Sequence, residues 1–471
     1  MAKLTRVRDS YVTIKSALAG AIERLLADKA EDIKTGLDFG MVRGQESSDG
    51  LQALINSAGL CRVPKGSYTI GKTVGCNFSG DFPILGRDSQ RFNLEGDGYN
   101  STTLNFNGAF DCLNFSADAG HAGALSGSIK DLTVYGTGNQ GIGMRLNSVH
   151  HMDLENLLFQ RCNIGLRIHN SLVGRFKNVR AQYNNQGIYI DTDDTTSANA
   201  EHFIIHTGQN TQVGVGGTVG TSISFKESTV EHNGLNDNSG GGIHLTVKEP
   251  GCVISIKDSY IGFNGGEADV FITNDTNGTI VVDISDTFIT RGAPDGKFTK
   301  YNIRIFNKKE RGWTKLNLHG VNFFDNSAWG YEPSAARPYI YADERTIVSG
   351  LETCSFNLDA PKGTTIRSSV GATTGVVESD GRAISLARGW LCQREDAGKY
   401  LITAPYPLSN DKNGYTVMAV SETINSDSKL SKVVGQVEKV DTTKFRIHSY
   451  LLGTPGQYSD CRFNFAVFMT R

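Results

Sequence analysis

One group of side chains that could do chemistry lies in the acidic segment DTDDTTSANAE at residues 191–201. Asp191, Asp193 and Asp194 stand close together there. Two carboxylates about 5 to 9.5 Å apart can divide the acid, base and nucleophile roles needed to break a bond between two sugars. Asp191 and Asp194 are therefore the first catalytic candidates. The alternatives are a solvated acidic loop, or oxygen ligands for Ca²⁺, although the spacing of an EF-hand is missing.

A second group combines His206 with Glu231, which follows it by 25 residues. A carboxylate beside an imidazole can form a general acid/base pair, so both residues are also catalytic candidates. Tyr260 stands about one repeat further along the chain. The alternative is an ordinary contact between two surface side chains.

A nine-residue repeat must position these residues. In nine copies between residues 129 and 359, the first and sixth residues are always apolar, and the third is mostly a polar or turn-forming residue such as aspartate or asparagine. This pattern predicts two short strands on either side of a tight turn. The copies begin at Ile129, Leu154, Phe176, Ala200, Phe225, Ile256, Ile284, Leu318 and Leu351.

A third short strand follows many copies, and its alternation predicts which side chains face solvent. Coils stacked about 4.8 Å apart pair every strand with the coils before and after it, which makes a solenoid rather than a sandwich. The predicted outward residues are Arg167, Tyr189, His244, Phe271, Arg304 and Tyr341, followed at the next outward position by Arg145, His169, Asp191, Thr246 and Thr273.

This mixture of outward side chains suits a sugar-binding surface. Aromatic rings stack on the C–H face of a pyranose, while arginine and histidine bind hydroxyl or carboxylate groups. The fifth repeat position also carries exposed apolar residues, which favours contacts between subunits along that face. Six side chains are the predicted substrate contacts: Arg167, His169, Tyr189, His244, Arg180 and Tyr260.

The composition narrows the classes of function. The 471 residues include 47 Lys and Arg against 49 Asp and Glu, so the basic excess of a nucleic-acid-binding protein is absent. No apolar run is long enough to insert in a membrane, and no apolar segment of a secretory signal follows the basic N-terminus. The eight cysteines lack metal-ligand spacing, so we expect reduced thiols, no metal site and no cofactor.

The two ends of the chain differ from the repeats. Residues 11–34 carry apolar side chains at helical spacing and predict a short helix, which either assembles with copies of itself, docks on a larger particle, or packs on its own domain. From about residue 385, alternating runs such as YTVMAV at 415 predict a small antiparallel sandwich.

Three segments, together with the repeats, resemble a known family. SSDGLQALINSAG at 47, CRVPKGSYTIG at 61 and FNLEGDGYNSTTLNF at 92 look like the right-handed parallel β-helix of pectate-lyase-like proteins. The short N-terminal segment and the β-rich tail more narrowly resemble bacteriophage tailspike depolymerases. That resemblance implies a homotrimer that cuts capsular or O-antigen polysaccharide on the host cell. No catalytic residue is assigned from this resemblance, because the aspartate cluster of pectate lyases, with its matching Arg/Lys motif, is not found in this sequence.

These observations predict three regions: a helical attachment segment (1–37), a single-stranded right-handed parallel β-helix with its N-terminal cap (38–380), and a C-terminal β-sandwich-like domain for trimerisation or carbohydrate binding (381–471). The expected protein is an all-β tailspike in the virion tail, joined to the phage tail or another tail protein through its N-terminal segment. It would hydrolyse a bacterial surface polysaccharide. The alternatives are β-elimination on a uronic-acid-containing capsule, with His169, His206, Tyr189 or Tyr260 as base, and a receptor-binding fibre without activity.

Overall fold

The computed structural model describes residues 13–14, 24–25, 34–57, 59–78, 90–117, 125–171, 174–192, 200–234, 240–292, 299–325, 339–343, 345–350, 353–356, 373–386, 390–404, 408, 415–421, 432–451 and 457–469. Within them the chain forms a parallel β-helix followed by two antiparallel sheets. The all-β solenoid predicted from the repeats is therefore confirmed.

Short helical elements precede the first coils. A 3-10 turn spans Gly36–Phe39, and an α-helix spans Ser48–Asn56 and buries Leu51 and Leu54 in the core of the β-helix. Where a helix was predicted over residues 11–34, the strands Thr13–Ile14 and Arg24–Leu25 pair instead in antiparallel fashion, and Lys34 begins another strand. The other residues of that segment lie outside the described residues.

The two strands on either side of the repeat's turn form one parallel sheet, which we call the bent sheet. Its register matches the predicted frame: Ile129 lies opposite Leu154, and Leu154 opposite Phe176. Among the described residues its strands are Lys34–Thr35, Gly59–Val63, Gly66–Ile70, Gln90–Gly96, Thr102–Phe106, Leu125–Gly136, Met152–Gln160, Gly174–Gln182, Ala200–Gly208, Ile223–Lys226, Thr229–Glu231, Val253–Lys257, Tyr260–Gly262, Thr279–Ser285, Phe288–Arg291, Trp313–His319, Asn322–Asp325, Thr346–Ser349 and Ser355–Phe356.

The third strand of each coil belongs to a second parallel sheet, which we call the flat sheet. Both sheets turn apolar side chains toward one continuous core, in which most members are fully buried. The strands of the flat sheet are Val74–Phe78, Asp111–Ala117, Ile142–Asn147, Ile164–His169, Gln186–Asp191, Val213–Val219, Gly241–Val247, Ala268–Asn274, Tyr301–Asn307 and Ile340–Ala342.

The turn predicted at the third repeat position is a single residue in the left-handed conformation. Asparagine and aspartate adopt this conformation more readily than other non-glycine residues, so one of them bends the chain without breaking the pairing on either side. The φ angles are 60° at Asp131, 51° at Asn156, 54° at Asn178, 49° at Asp258 and 48° at Asp286.

The repeat copy placed at Ala200 was aligned incorrectly. Phe203, not Ala200, lies opposite Phe176. Lys177 then lies opposite Ile204 and Val179 opposite Ile205, so no residue lies opposite the turn residue Asn178. The reason is that the strand Ala200–Gly208 contains no left-handed residue of its own. A coil that lacks the turn residue is shorter than the nine-residue frame, so that frame misplaces every side chain in it.

A ladder of buried asparagines, which the sequence analysis missed, lies at the corner between the bent and flat sheets. Asn184, Asn210, Asn233 and Asn264 are all 0% exposed. Each amide nitrogen donates to the side-chain oxygen of the next asparagine, at 3.1, 2.7 and 3.0 Å, and Asn264 donates to Asp269 at 3.0 Å. Each asparagine follows a sixth-position residue of the corrected frame by three residues, which is the signal that could have revealed it.

A column of glycines in the flat sheet makes room for this ladder. A Cβ atom on Gly187 would lie 2.9 Å from the side-chain nitrogen of Asn210, and one on Gly214 would lie 2.7 Å from that of Asn233. Part of the glycine content is therefore a steric requirement of the asparagine ladder.

The C-terminal region consists of two four-stranded antiparallel sheets, as the alternating sequence predicted. They share a separate apolar core that includes Tyr400, Phe445 and Phe463. The first sheet contains Thr373–Val377, Ala383–Ser385, Tyr415–Ser421 and Phe463–Met469, and the second contains Leu391–Asp396, Lys399–Thr403, Lys432–Lys439 and Lys444–Leu451. The domain boundaries given above stay a prediction.

Candidate functional site

The outward residues of the flat sheet form a continuous ladder. Arg167 lies opposite Tyr189, and His169 opposite Asp191, as predicted. Arg145 lies opposite Arg167, not at the next outward position where the sequence analysis placed it. Beyond Tyr189 the ladder continues through Gly216, His244, Phe271, Arg304 and Tyr341.

Asp191, the first catalytic candidate, is held by Arg167. The Nη2 and Nε atoms of Arg167 lie 2.6 and 3.3 Å from the two carboxylate oxygens, and Nδ1 of His169 lies 3.2 Å from one of them. The hydrogen bond to Asp191 raises the pKa of Arg167. Because Arg167 engages both oxygens of Asp191, this carboxylate is suited to orient Arg167 rather than to transfer a proton. Asp194 lies outside the described residues.

The aromatic part of the ladder is packed against itself. The His244 ring stacks on Phe271 with centroids 4.4 Å apart, and the guanidinium of Arg304 lies 4.5 Å from the Phe271 centroid and 5.8 Å from that of Tyr341. The ring faces thus already contact neighbouring ladder residues.

The second catalytic group lies on the outward side of the bent sheet. His206 is opposite Arg180 and Thr229, at the fifth repeat position. The uncorrected frame that starts at Ala200 would put it at the seventh position, because this coil lacks the turn residue. Glu231 nevertheless reaches it diagonally, with Oε1 3.6 Å from Nε2 of His206. Tyr260 follows Thr229 on the same ladder. The structure therefore brings Arg180, His206, Glu231 and Tyr260 together.

The surroundings set the protonation of this group. Burial lowers the pKa of His206, Glu231 acts to raise it, and Arg180 acts to lower it further. Burial raises the pKa of Tyr260, and Glu231 and Asp269 raise it further. At neutral pH the site thus has a neutral imidazole, which can accept a proton, and a protonated phenol, which can donate one.

Exposed aromatic rings extend the surface from Tyr260. The Tyr260 and Phe288 rings stack at 5.8 Å with an angle of 9°, and Phe288 stacks on Phe324 at 6.0 Å. Phe288 and Phe324 are 38% and 39% exposed. At the other end, the Arg180 guanidinium lies 5.2 Å from the ring centroid of Tyr99, a contact that the sequence analysis missed. We call this surface the Glu231 face: Arg180, His206, Glu231, Tyr260, Phe288 and Phe324.

The electrostatics of His206 predict a pH profile. Because its pKa is below the ordinary value of 6.5, the neutral imidazole persists below that pH. If neutral His206 is required, the acid limb of kcat/KM has its inflection below pH 6.5, and His206→Gln shifts that limb. His319→Gln, which changes an exposed histidine of the same sheet, leaves it in place. An acid limb above pH 6.5, or one unchanged by His206→Gln, contradicts the role of this histidine.

The described part of the chain shows neither a metal-ligand cluster nor a membrane-spanning helix. No group of three or more His, Cys, Asp or Glu side chains there could hold a metal ion. No described helix is long and apolar enough to cross a membrane. All eight cysteines are described, and all are free thiols.

Comparison with known proteins agrees with the solenoid architecture. No family model matches the chain, and no curated protein matches it. Among solved structures, the ORF18 protein of Geobacillus virus E2 superposes with a TM-score of 0.54 at 12% identity, over 92% of this chain and 79% of that one. This likeness shows a shared fold, so by its strand pairing and by comparison the chain is a parallel β-helix protein.

Two bacteriophage structures are less similar. The enzymatically active domain of tailspike protein 2 from bacteriophage CBA120 gives a TM-score of 0.48 at 12% identity, over 98% of this chain and 75% of that one. The corresponding domain of tailspike protein 4 gives 0.47 at 11% identity, over 98% and 69%.

Proposed function

We propose that this chain is a phage tailspike depolymerase that cleaves a bacterial surface polysaccharide on the Glu231 face. The observation that carries the proposal is which side chains lie next to the Glu231 carboxylate. Within the described residues it has no arginine or lysine partner within 4.0 Å, unlike Asp191, and it lies beside a neutral histidine. A carboxylate that no cationic side chain neutralises, on an outward strip with exposed rings, is suited to act on a long, ring-containing polymer.

In the proposed hydrolysis, Glu231 accepts the proton of the attacking water while the water oxygen bonds to the anomeric carbon. The bond from that carbon to the leaving oxygen breaks, and the Tyr260 hydroxyl supplies the proton that this oxygen gains. His206 holds the Glu231 carboxylate in position, and Phe288 and Phe324 stack on neighbouring sugar rings. The polymer would then also be bound on the flat sheet, at a distance from the cleaved bond, by Arg167, His169, Tyr189 and His244.

One observation favours β-elimination as a second candidate. Arg180 lies opposite His206 on the same ladder, so it could neutralise the carboxylate of a uronic acid while the neutral imidazole removes the C5 proton. This reaction leaves a carbon–carbon double bond in the product and consumes no water.

The fold shared with a viral protein supports the tailspike assignment. Homotrimer formation, attachment to the tail through the N-terminal segment and a place in the virion belong to the same proposal. If the fifth-position residues form subunit contacts, as the sequence analysis suggested, the Glu231 face would lie at a boundary between chains.

The proposed function is tested by spotting the purified protein on lawns of capsulated bacteria and by mass spectrometry of products from a panel of purified capsules. We expect a cleared halo and oligosaccharides whose mass includes one added water per cut. Products with an ultraviolet-absorbing double bond and no added water indicate elimination instead. Binding without cleavage on every capsule contradicts a depolymerase and leaves the receptor-binding fibre.

A further inference from the structure

A cluster of basic side chains lies on the turns that leave the flat sheet, away from the Glu231 face. Lys248 follows the strand Gly241–Val247, and Lys308 and Lys309 follow Tyr301–Asn307, two strands further along. Asp275 follows the strand between them. The four turn residues therefore come together because their strands are neighbours in the flat sheet.

The three lysines share one carboxylate. The Nζ atoms of Lys248 and Lys308 lie 2.8 and 3.1 Å from the same oxygen of Asp275, and that of Lys309 lies 3.6 Å from the other oxygen. The Asp275 side chain is only 4% exposed, whereas the three lysines are 35%, 56% and 49% exposed. Burial acts to raise the pKa of Asp275, but the hydrogen bonds and the positive charges of Lys248 and Lys308 together lower that pKa.

The charges of this cluster do not balance. Three ammonium groups face one carboxylate, and Glu249 and Glu310, on the same turns, form no ion pair with them within 4.0 Å. Like charges that share one oxygen atom repel one another, and the repulsion is larger where water is partly excluded. A further anion would relieve this repulsion.

Two buried polar atoms in the same corner also lack a hydrogen-bond partner. One is Oδ1 of Asp275, and the other is Nε of Arg345. Arg345 donates its terminal nitrogens to the backbone oxygens of Asn307 and Lys309, which holds the turn that carries the lysines. Arg345 thus holds in place a corner in which three ammonium groups surround one carboxylate, so these are not independent surface lysines.

We propose that Lys248, Lys308 and Lys309 form an oxyanion-binding site that takes the carboxylate of an acidic sugar. The shared chemistry is that of a carboxylate, sulfate or phosphate group. The inference that this anionic group belongs to a sugar rests on the proposed function. An acidic polysaccharide would engage this site through its charge, independently of the neutral groups that contact the Glu231 face.

The test measures binding by calorimetry at low ionic strength, with sodium sulfate, sodium glucuronate, polygalacturonate and uncharged dextran as probes. We expect glucuronate and polygalacturonate to bind and dextran not to bind. Because a charge-assisted hydrogen bond contributes about 1.5–3 kcal/mol, the double substitution Lys308→Gln with Lys309→Gln should weaken binding at least about tenfold. The control, Lys257→Gln with Lys315→Gln, removes two exposed lysines of the bent sheet and should leave it unchanged.

Equal affinity in the two double variants, or no binding of any anion by the unchanged protein, overturns the proposal. Binding of sulfate without glucuronate or polygalacturonate overturns the assignment to an acidic sugar. Failure of the proposed function is distinguishable, because the protein would then bind polygalacturonate at the lysines and cleave no capsule.

Discussion

Glu231→Gln is expected to reduce the rate of polysaccharide cleavage by about 10³-fold, within the range of about 10²- to 10⁴-fold that loss of a general acid or base produces. The amide keeps the size of the side chain but cannot accept a proton at neutral pH. Folding should be unaffected, because Glu231 is partly exposed and its described ionic contact is with a histidine that is neutral at pH 7. The measurement is the initial rate of product release from a capsule that the unchanged protein cleaves.

Glu155→Gln is the matched control for this prediction. Glu155 is a partly exposed carboxylate of the same sheet and, unlike Glu231, pairs with a lysine, Lys177, at 2.7 Å. A surface ion pair contributes about 0–1 kcal/mol, so this change should alter neither rate nor folding appreciably. Asp191→Asn completes the set. If it abolishes cleavage while Glu231→Gln does not, the catalytic site lies on the flat sheet and the proposed assignment is wrong.

Asn210→Leu is expected to lower the free energy of unfolding by about 3 kcal/mol or more, since each orphaned buried polar group costs about 1–3 kcal/mol. Asn210 accepts hydrogen bonds from the backbone and side-chain nitrogens of Asn184, at 3.0 and 3.1 Å, and donates to Ala181 and Asn233 at 3.0 and 2.7 Å. Leucine has the same number and branching of side-chain heavy atoms but can make none of these bonds. Its branched end would also press on Gly187, whose missing side chain accommodates the amide.

Urea unfolding followed by circular dichroism measures this loss. The control is Asn77→Leu, which removes one exposed hydrogen bond from Ser116 at 3.1 Å and should change stability by much less than the ladder substitution. Equal stability of the two variants would mean that the asparagine ladder does not stabilise the fold. Because each coil is stabilised by its neighbours, we also expect the solenoid of the ladder variant to unfold in one cooperative transition.

The apolar repeat was sufficient to predict the stacked coils, because two buried columns on opposite sides of a turn can be satisfied only by pairing each coil with the next. Ile129, Leu154 and Phe176 are aligned in the structure as in the frame. The turn at the third repeat position could also be predicted from the sequence, since aspartate and asparagine are favoured where φ is positive. Local chemistry and periodicity determined these features.

The asparagine ladder and the alignment of the coil at Ala200–Gly208 were decided by contacts between coils. A fixed frame cannot show that a coil has lost its turn residue, because the omission changes only which residue of the next coil lies opposite. The ladder likewise depends on glycines contributed by another strand. The sequence of a single repeat does not show which glycine of another strand lies beside each asparagine.

The candidate catalytic residues show the same division. Sequence alone identified Asp191, His206 and Glu231 as side chains able to transfer protons and placed them on outward strips of a β-helix. Only the tertiary structure distinguished them, because Arg167 engages both oxygens of Asp191 while Glu231 faces a neutral His206. Residue type fixes what a group can do, whereas its neighbours in adjacent coils, more than 20 residues away in the chain, determine its charge and partners.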